Sequence, residues 1–277
     1  MNATGALRRV LLRPPRTDEL AGWKEYGWRS APDPNAIAAE HAELCAVLSD
    51  TGAEIVLADE PVHGDPDAIY AYDPVLIGPA GAILLEIGKP GRAGEAEALV
   101  PALAAAGVPI AGRMEEPATA DGGDMFWLDE QTVLVGRGYR TNNAGIAEIR
   151  RLLPFADVIA FDLPHLRGRG EVLHLMSLVS PLSEDLVVAF MPLLPVRLVE
   201  LFEERGIEIV TVPESEFESM GANVLALAPR VGLALARNTE TRRRLEHAGV
   251  TVHVYKGTEL SKGDGGPTCL TRPLLRD

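Results

Sequence analysis

The stretch "KGDGGPTC" closes on Cys269, one of two cysteines in a chain of 277 residues. The other, Cys45, stands in "AELCAVLS", an apolar helical pattern in which a thiol is small core filler. Cys269 instead follows two adjacent glycines and a proline, which is turn sequence, and a thiol held on a turn is placed for reaction rather than packing. A nucleophilic thiol commonly works with a histidine. His174, in the strand-like run "GEVLHLMSLVSPL", is the best partner, ahead of His41, His165, His247 and His253. Two pairs of acids complete the set: Asp67 and Asp73 in "PDAIYAYDPVL", and Asp121 and Asp124 on either side of Gly122 and Gly123 in "TADGGDMFWL". Arg140, in "GYRTNNAGI", precedes a helix start and has the fork geometry that clamps a carboxylate. Singly, each has an ordinary structural reading: Asp73 before a proline forms a turn, a histidine between leucines is a hydrogen-bonded core residue, and Arg140 is a surface arginine. Together they suit a planar cation. Acids hold it, the arginine anchors a distal carboxylate, and the thiol attacks, which fits the guanidinium group of an arginine derivative. A phosphatase would need cationic phosphate contacts, and no local signature of a cysteine protease is present.

The elements that must position these residues repeat. A helical run, a glycine at the helix end and a short β-branched run recur around Gly52, Gly107, Gly206 and Gly249, and "IRRLLPFADVIAFDLP" is a fifth copy without the glycine. The copies recur at intervals of roughly 45 to 55 residues, which predicts pseudo-symmetry. Between them lie paired strand-like runs such as "DMFWLDEQTVLVGRG" and "ANVLALAPRVGLALA". Each unit therefore reads as a β-hairpin, a helix and a further strand, and a ring of five is the natural closure. A doubly wound parallel sheet is weakened by the hairpins and by the lack of GxGxxG after the first strand. Two unrelated α/β domains are the bland alternative. No linker divides residues 1–277, so one catalytic domain is expected. Residues 16–34, with Trp23, Tyr26 and Trp28, form the most loop-like long stretch and either close over a pocket or dock on the surface.

Composition narrows the partners. With 40 acidic against 26 basic residues and a formal charge of −14, a general nucleic-acid binder is not expected. No window reaches the length of a membrane span, and "MNATGALRRVLLRPP" lacks the organisation of a secretory signal, so the expectation is a soluble cytoplasmic protein. Two widely separated cysteines offer neither a disulfide framework nor a zinc spacing, and the Asp-Gly-Gly-Asp segment supplies too few oxygens for a divalent ion.

Seven segments in this order, "PDAIYAYDPVL", "KPGRAGE", "TADGGDMFWL", "GYRTNNAGI", "LHLMS", "GANVLAL" and "DGGPTC", resemble the guanidino-group-modifying enzymes, the pentein superfamily, and most closely the dimethylarginine dimethylaminohydrolases. The resemblance spans most of the chain and implies a five-fold pseudo-symmetric α/β propeller. It also implies roles: Cys269 as nucleophile, His174 as general acid and base, and Asp121 as the acid that holds the guanidinium. Asp67 and Asp73 then line the site, Asp124 stands beside Asp121, and Arg92 and Arg140 bind the substrate's α-carboxylate. The implied reaction is hydrolysis of Nω-methylated L-arginine to L-citrulline and an amine through a covalent thiouronium, with no metal or organic cofactor. Arginine deiminases of the superfamily carry His-Leu-Asp where this chain has His174, Leu175 and Met176. A thioether accepts no strong hydrogen bond but tolerates methyl groups, which favours a methylated substrate. Deimination of arginine, amidino transfer and a non-catalytic pentein-fold binder are the alternatives. A homodimer is compatible with the sequence.

Overall fold

Four of the five repeats fold as read from the sequence. In the computed structural model, which describes residues 2–170 and 173–277, strands Val75–Gly78 and Gly81–Leu84 form a hairpin, helix Glu95–Ala105 follows, and Ile110–Arg113 returns parallel to the second strand. The same order recurs with Met125–Trp127, Thr132–Arg137 and Asp157–Asp162, with Val179–Ser183, Leu186–Ala189 and Glu208–Thr211, and with Leu225–Ala228, Val231–Leu235 and Thr251–Tyr255. Gly52, Gly107, Gly206 and Gly249 take φ of 91°, 73°, 66° and 81°, the left-handed conformation that ends a helix without strain.

The fifth unit closes the ring from both ends of the chain. Leu7–Leu12 pairs parallel with Glu54–Leu57 beyond helix Pro34–Asp50, and antiparallel with Thr271–Arg276. That last strand takes the place of the first hairpin strand, so the five three-stranded sheets are equivalent. The fold is the five-fold pseudo-symmetric α/β propeller.

Packing shows why the ring holds. Alternate residues of a strand face opposite sides, so Val75 and Ile77 enter one apolar cluster while Leu76 enters the next. Among the described residues five such clusters form, each between successive units, and the one joining the last unit to the first contains Leu233, Leu235, Val10, Leu12 and Leu44. Both faces of each sheet are thereby covered. No helix among the described residues is long and apolar enough to cross a membrane.

The first strands lie innermost: Val179–Ser183 packs on Leu225–Ala228, and Thr271–Arg276 on Val75–Gly78. The segments entering these five strands carry, in turn, Asp73, Asp121, His174, Asn223 and Cys269. Pseudo-symmetry thus supplies one polar residue per unit at equivalent places.

Candidate active site

These entry segments surround a cavity of about 330 Å³, whose wall includes Cys269, His174, Asp73, Asp67, Arg92 and Arg140. The nucleophile and base proposed from sequence therefore share one space with two acids. Asn223 donates from Nδ2 to Cys269 Sγ at 3.2 Å, while its Oδ1 accepts from the Thr268 backbone at 3.0 Å. Asn223 thus fixes the turn that carries the thiol. The adjacent glycines serve this approach: a Cβ on Gly266 would stand 2.5 Å from Asn223 Oδ1.

His174 begins a short capped turn in which its backbone N–H donates to Ser177 Oγ at 3.1 Å. Its Nε2 meets Asp121 Oδ2 at 3.0 Å, and Nδ1 lies 3.9 Å from Asp73 Oδ1. Burial opposes the imidazolium, but Asp73, Asp124 and Asp121 outweigh it and raise His174 to about 9. Burial also dominates at Cys269, with the charge of Asp73 behind it, and the thiol rises to about 11. At neutral pH the resting pair holds both protons. Attack requires the thiol to lose its proton while the imidazolium keeps one, so kcat/KM, corrected for substrate ionisation, should climb about tenfold per pH unit towards 9 and flatten above it. A pH profile flat from 6 to 9 would contradict this pairing.

The Asp-Gly-Gly-Asp segment works differently from the expectation. Asp121 is wholly buried and does not line the cavity; it accepts from His174, from Arg140 Nη1 at 3.0 Å and from the Gly88 backbone at 2.7 Å. It faces His174 and Arg140 rather than the cavity, and burial, which would raise it, is outweighed by His174 and Arg140, which hold it low. Asp124, assigned to substrate, is also wholly buried: it accepts from Thr141 Oγ1 at 2.7 Å and from the Leu175 backbone at 3.0 Å. Burial pushes it up to about 7, and its role is to tether the His174 turn. The glycines let this segment approach, since a Cβ on Gly123 would lie 2.5 Å from His174 Nδ1 and 2.8 Å from Asp73 Oδ1. Gly123→Ala is expected to cut kcat about a hundredfold by displacing the imidazole, with the chain still folded by circular dichroism.

Arg92 also departs from the reading. Its Nε and Nη2 are taken by Glu95 and its Nη1 by Asp73 at 2.8 Å, all three residues being buried. It positions Asp73 and is not available as an α-carboxylate anchor. Arg140, bound to Asp121 through one nitrogen only, still faces the cavity. Met176 does not: it is buried with Tyr72 and Phe126 and borders a separate small cavity.

Sequence reasoning passes over Lys89, which lines the cavity and donates to Asp67 Oδ2 at 2.6 Å and to the Tyr26 carbonyl at 2.8 Å. Its signal is its place in "KPGRAGE", three residues before Arg92. Within residues 16–34, Trp28 is buried and its indole N–H donates to Asp67 Oδ1 at 2.7 Å, while Tyr26 borders the cavity. The segment docks on the site through these two rings. Donor atoms of Asp73, Asp121 and His174 gather within 4.8 Å. Arg92 and Arg140 already pair with the Asp73 and Asp121 carboxylates of this group.

Residues 100–199 and 194–276 match the family model described as arginine deiminase. The chain is 28% identical over 257 residues to an arginine deiminase of Listeria welshimeri, covering 76% of this chain and 62% of that protein. It is 31% identical over 194 residues to the arginine deiminase of Rhodococcus jostii, covering 58% of this chain and 47% of that protein. The chain therefore spans about half to three fifths of the length of these relatives. In fold it is similar to a dimethylarginine dimethylaminohydrolase of Pseudomonas aeruginosa complexed with citrulline, at TM-score 0.80 and 23% identity, over 98% of this chain and 100% of that one. It is likewise similar to the N-terminal domain of a cyanobacterial arginine dihydrolase, at TM-score 0.83 and 19% identity, over 97% of both chains.

Proposed function

The chain belongs to the arginine deiminase family, within the guanidino-group-modifying pentein enzymes, and from that premise we propose that it hydrolyses Nω-methylated L-arginine to L-citrulline and dimethylamine or methylamine. The observation that carries the reading is the meeting of Cys269, His174 and Asp73 on one cavity wall. In this mechanism Asp73 and Asp67 receive the guanidinium, displacing part of their contact with Arg92 and Lys89, and Arg140 anchors the α-carboxylate. The bound cation lowers the cost of ionising Cys269, and the thiolate adds to the guanidinium carbon. The tetrahedral adduct collapses as His174 gives its proton to the departing amine, leaving a thiouronium on sulfur. His174 then takes a proton from water, hydroxide adds to the same carbon, and the C–S bond breaks as the added hydroxyl loses its proton to the departing sulfur, releasing the ureido product and restoring the Cys269 thiol.

The methylated substrate is supported by the fold match to the dimethylarginine dimethylaminohydrolase, the whole length of which this chain covers, against only about half to three fifths of the arginine deiminases. Met176, expected from the sequence to favour methyl groups, is packed in the core away from the cavity and does not reach a substrate there. Free L-arginine is the second reading, favoured by the matched relatives being arginine deiminases. Citrulline release from asymmetric dimethylarginine, monomethylarginine and arginine, measured in parallel, separates them. The expected order places both methylated substrates above arginine in kcat/KM by at least about tenfold. Arginine ahead would assign deimination, and no citrulline from any of the three would overturn both.

A further inference from the structure

Four arginines are buried among the described residues, and three face a carboxylate: Arg13 with Glu19, Arg92 with Asp73 and Glu95, and Arg140 with Asp121. Arg272 is the exception. Only 4% of it is exposed; its Nη2 donates to the Tyr72 carbonyl, its guanidinium carbon sits 3.5 Å from the Tyr72 ring centroid, and its Nε is buried without a partner. A carbonyl and a ring face soften a buried charge without neutralising it. Asp73, the carboxylate whose charge it senses, is already bound to Arg92.

Arg272 borders a cavity of about 50 Å³ that runs along the innermost strands, behind the catalytic cavity. Arg276, on the same face of strand Thr271–Arg276, borders it too, and its two terminal nitrogens donate to the carbonyls of Gly5 and Ala226. No acidic residue is among the described residues of the wall, which is completed by Asn2, Tyr72, Thr268 and apolar side chains. Two guanidinium groups on a small, largely apolar cavity with no carboxylate among its described wall residues call for an anion, and the volume admits a monatomic ion with a water or two. We propose that this cavity is a binding site for a small monovalent anion, held between Arg272 and Arg276. Burial lowers both guanidiniums, and Arg272 adds to the lowering of Arg276, to about 10, as two like charges paired only with carbonyls do. The anion would sit next to the catalytic floor, because Tyr72 and Thr268 immediately precede Asp73 and Cys269 in the chain. Its main effect is on stability.

The test uses sodium bromide against sodium gluconate at equal ionic strength, gluconate being too large for the cavity. Bromide at about five times its dissociation constant should raise the thermal midpoint of the unmodified chain by about 2 to 4 °C. Arg272→Met should remove that response while leaving the midpoint in gluconate unchanged or higher, since an uncompensated buried charge has been replaced by an apolar chain. Should that variant not fold, bromide-soaked crystals of the unmodified protein decide the matter by an anomalous peak between the two guanidiniums. Equal midpoints in both salts with no such peak, or a bromide response that survives in Arg272→Met, would overturn the proposal.

Discussion

Asp73→Asn is expected to make Cys269 easier to ionise and the enzyme slower at once. After burial, the charge of Asp73 is the main cause holding the thiol near 11, so its removal should speed alkylation of Cys269 by neutral iodoacetamide at pH 8. The same carboxylate binds Arg92 and, in the proposed mechanism, the guanidinium. Losing it should lower kcat/KM by roughly 10² to 10³, the usual cost of removing one partner of a buried charge pair. A residue that only stiffened the fold would slow alkylation and turnover together or leave both alone. The opposite signs are what the geometry demands.

His174→Asn should have the larger effect, a fall of about 10³ to 10⁴ in kcat, because in the proposed mechanism the same imidazole protonates the departing amine and later activates water. The two duties can be separated. An S-alkyl isothiourea analogue of the substrate carries a leaving group that needs little help from an acid, so its first step should survive in His174→Asn while hydrolysis of the adduct stalls. Mass spectrometry would then find the chain accumulating as a covalent adduct. Equal losses with amine and thiol leaving groups would mean that the imidazole positions the thiol and donates no proton.

Much of this site is legible in the sequence because the propeller repeats. Glycines at four helix ends mark the units, and once the units are aligned, Asp73, His174 and Cys269 fall at equivalent entry segments. What pattern cannot give is the partner of each charge. Asp121 and Asp124 sit at the predicted segment, yet both point inward, one to His174 and the other to Thr141 and the Leu175 backbone, and only three-dimensional packing decides between that and a ligand. Arg92 carries its own warning in the sequence: Glu95 lies three residues on, the spacing at which a carboxylate can capture it. Asn223 belongs to a segment that resembles the family, but an amide beside an apolar run has no chemistry until a thiol is placed against it. Closure of the first sheet is likewise hidden, because Leu7–Leu12 and Thr271–Arg276 pair across almost the whole chain and no local turn announces them.

The central claim is that Cys269 forms a covalent bond to the guanidine carbon. Rapid acid quench during turnover of asymmetric dimethylarginine, monomethylarginine or arginine, whichever is the best substrate, followed by peptide mass analysis, tests it directly. The expected result is a mass increase equal to the substrate less its departing amine, confined to the peptide containing Cys269 and missing from Cys269→Ser, which should also lose turnover by about 10⁴ or more. An unmodified Cys269 peptide under steady turnover, together with a Cys269→Ser variant that still releases citrulline, would contradict it.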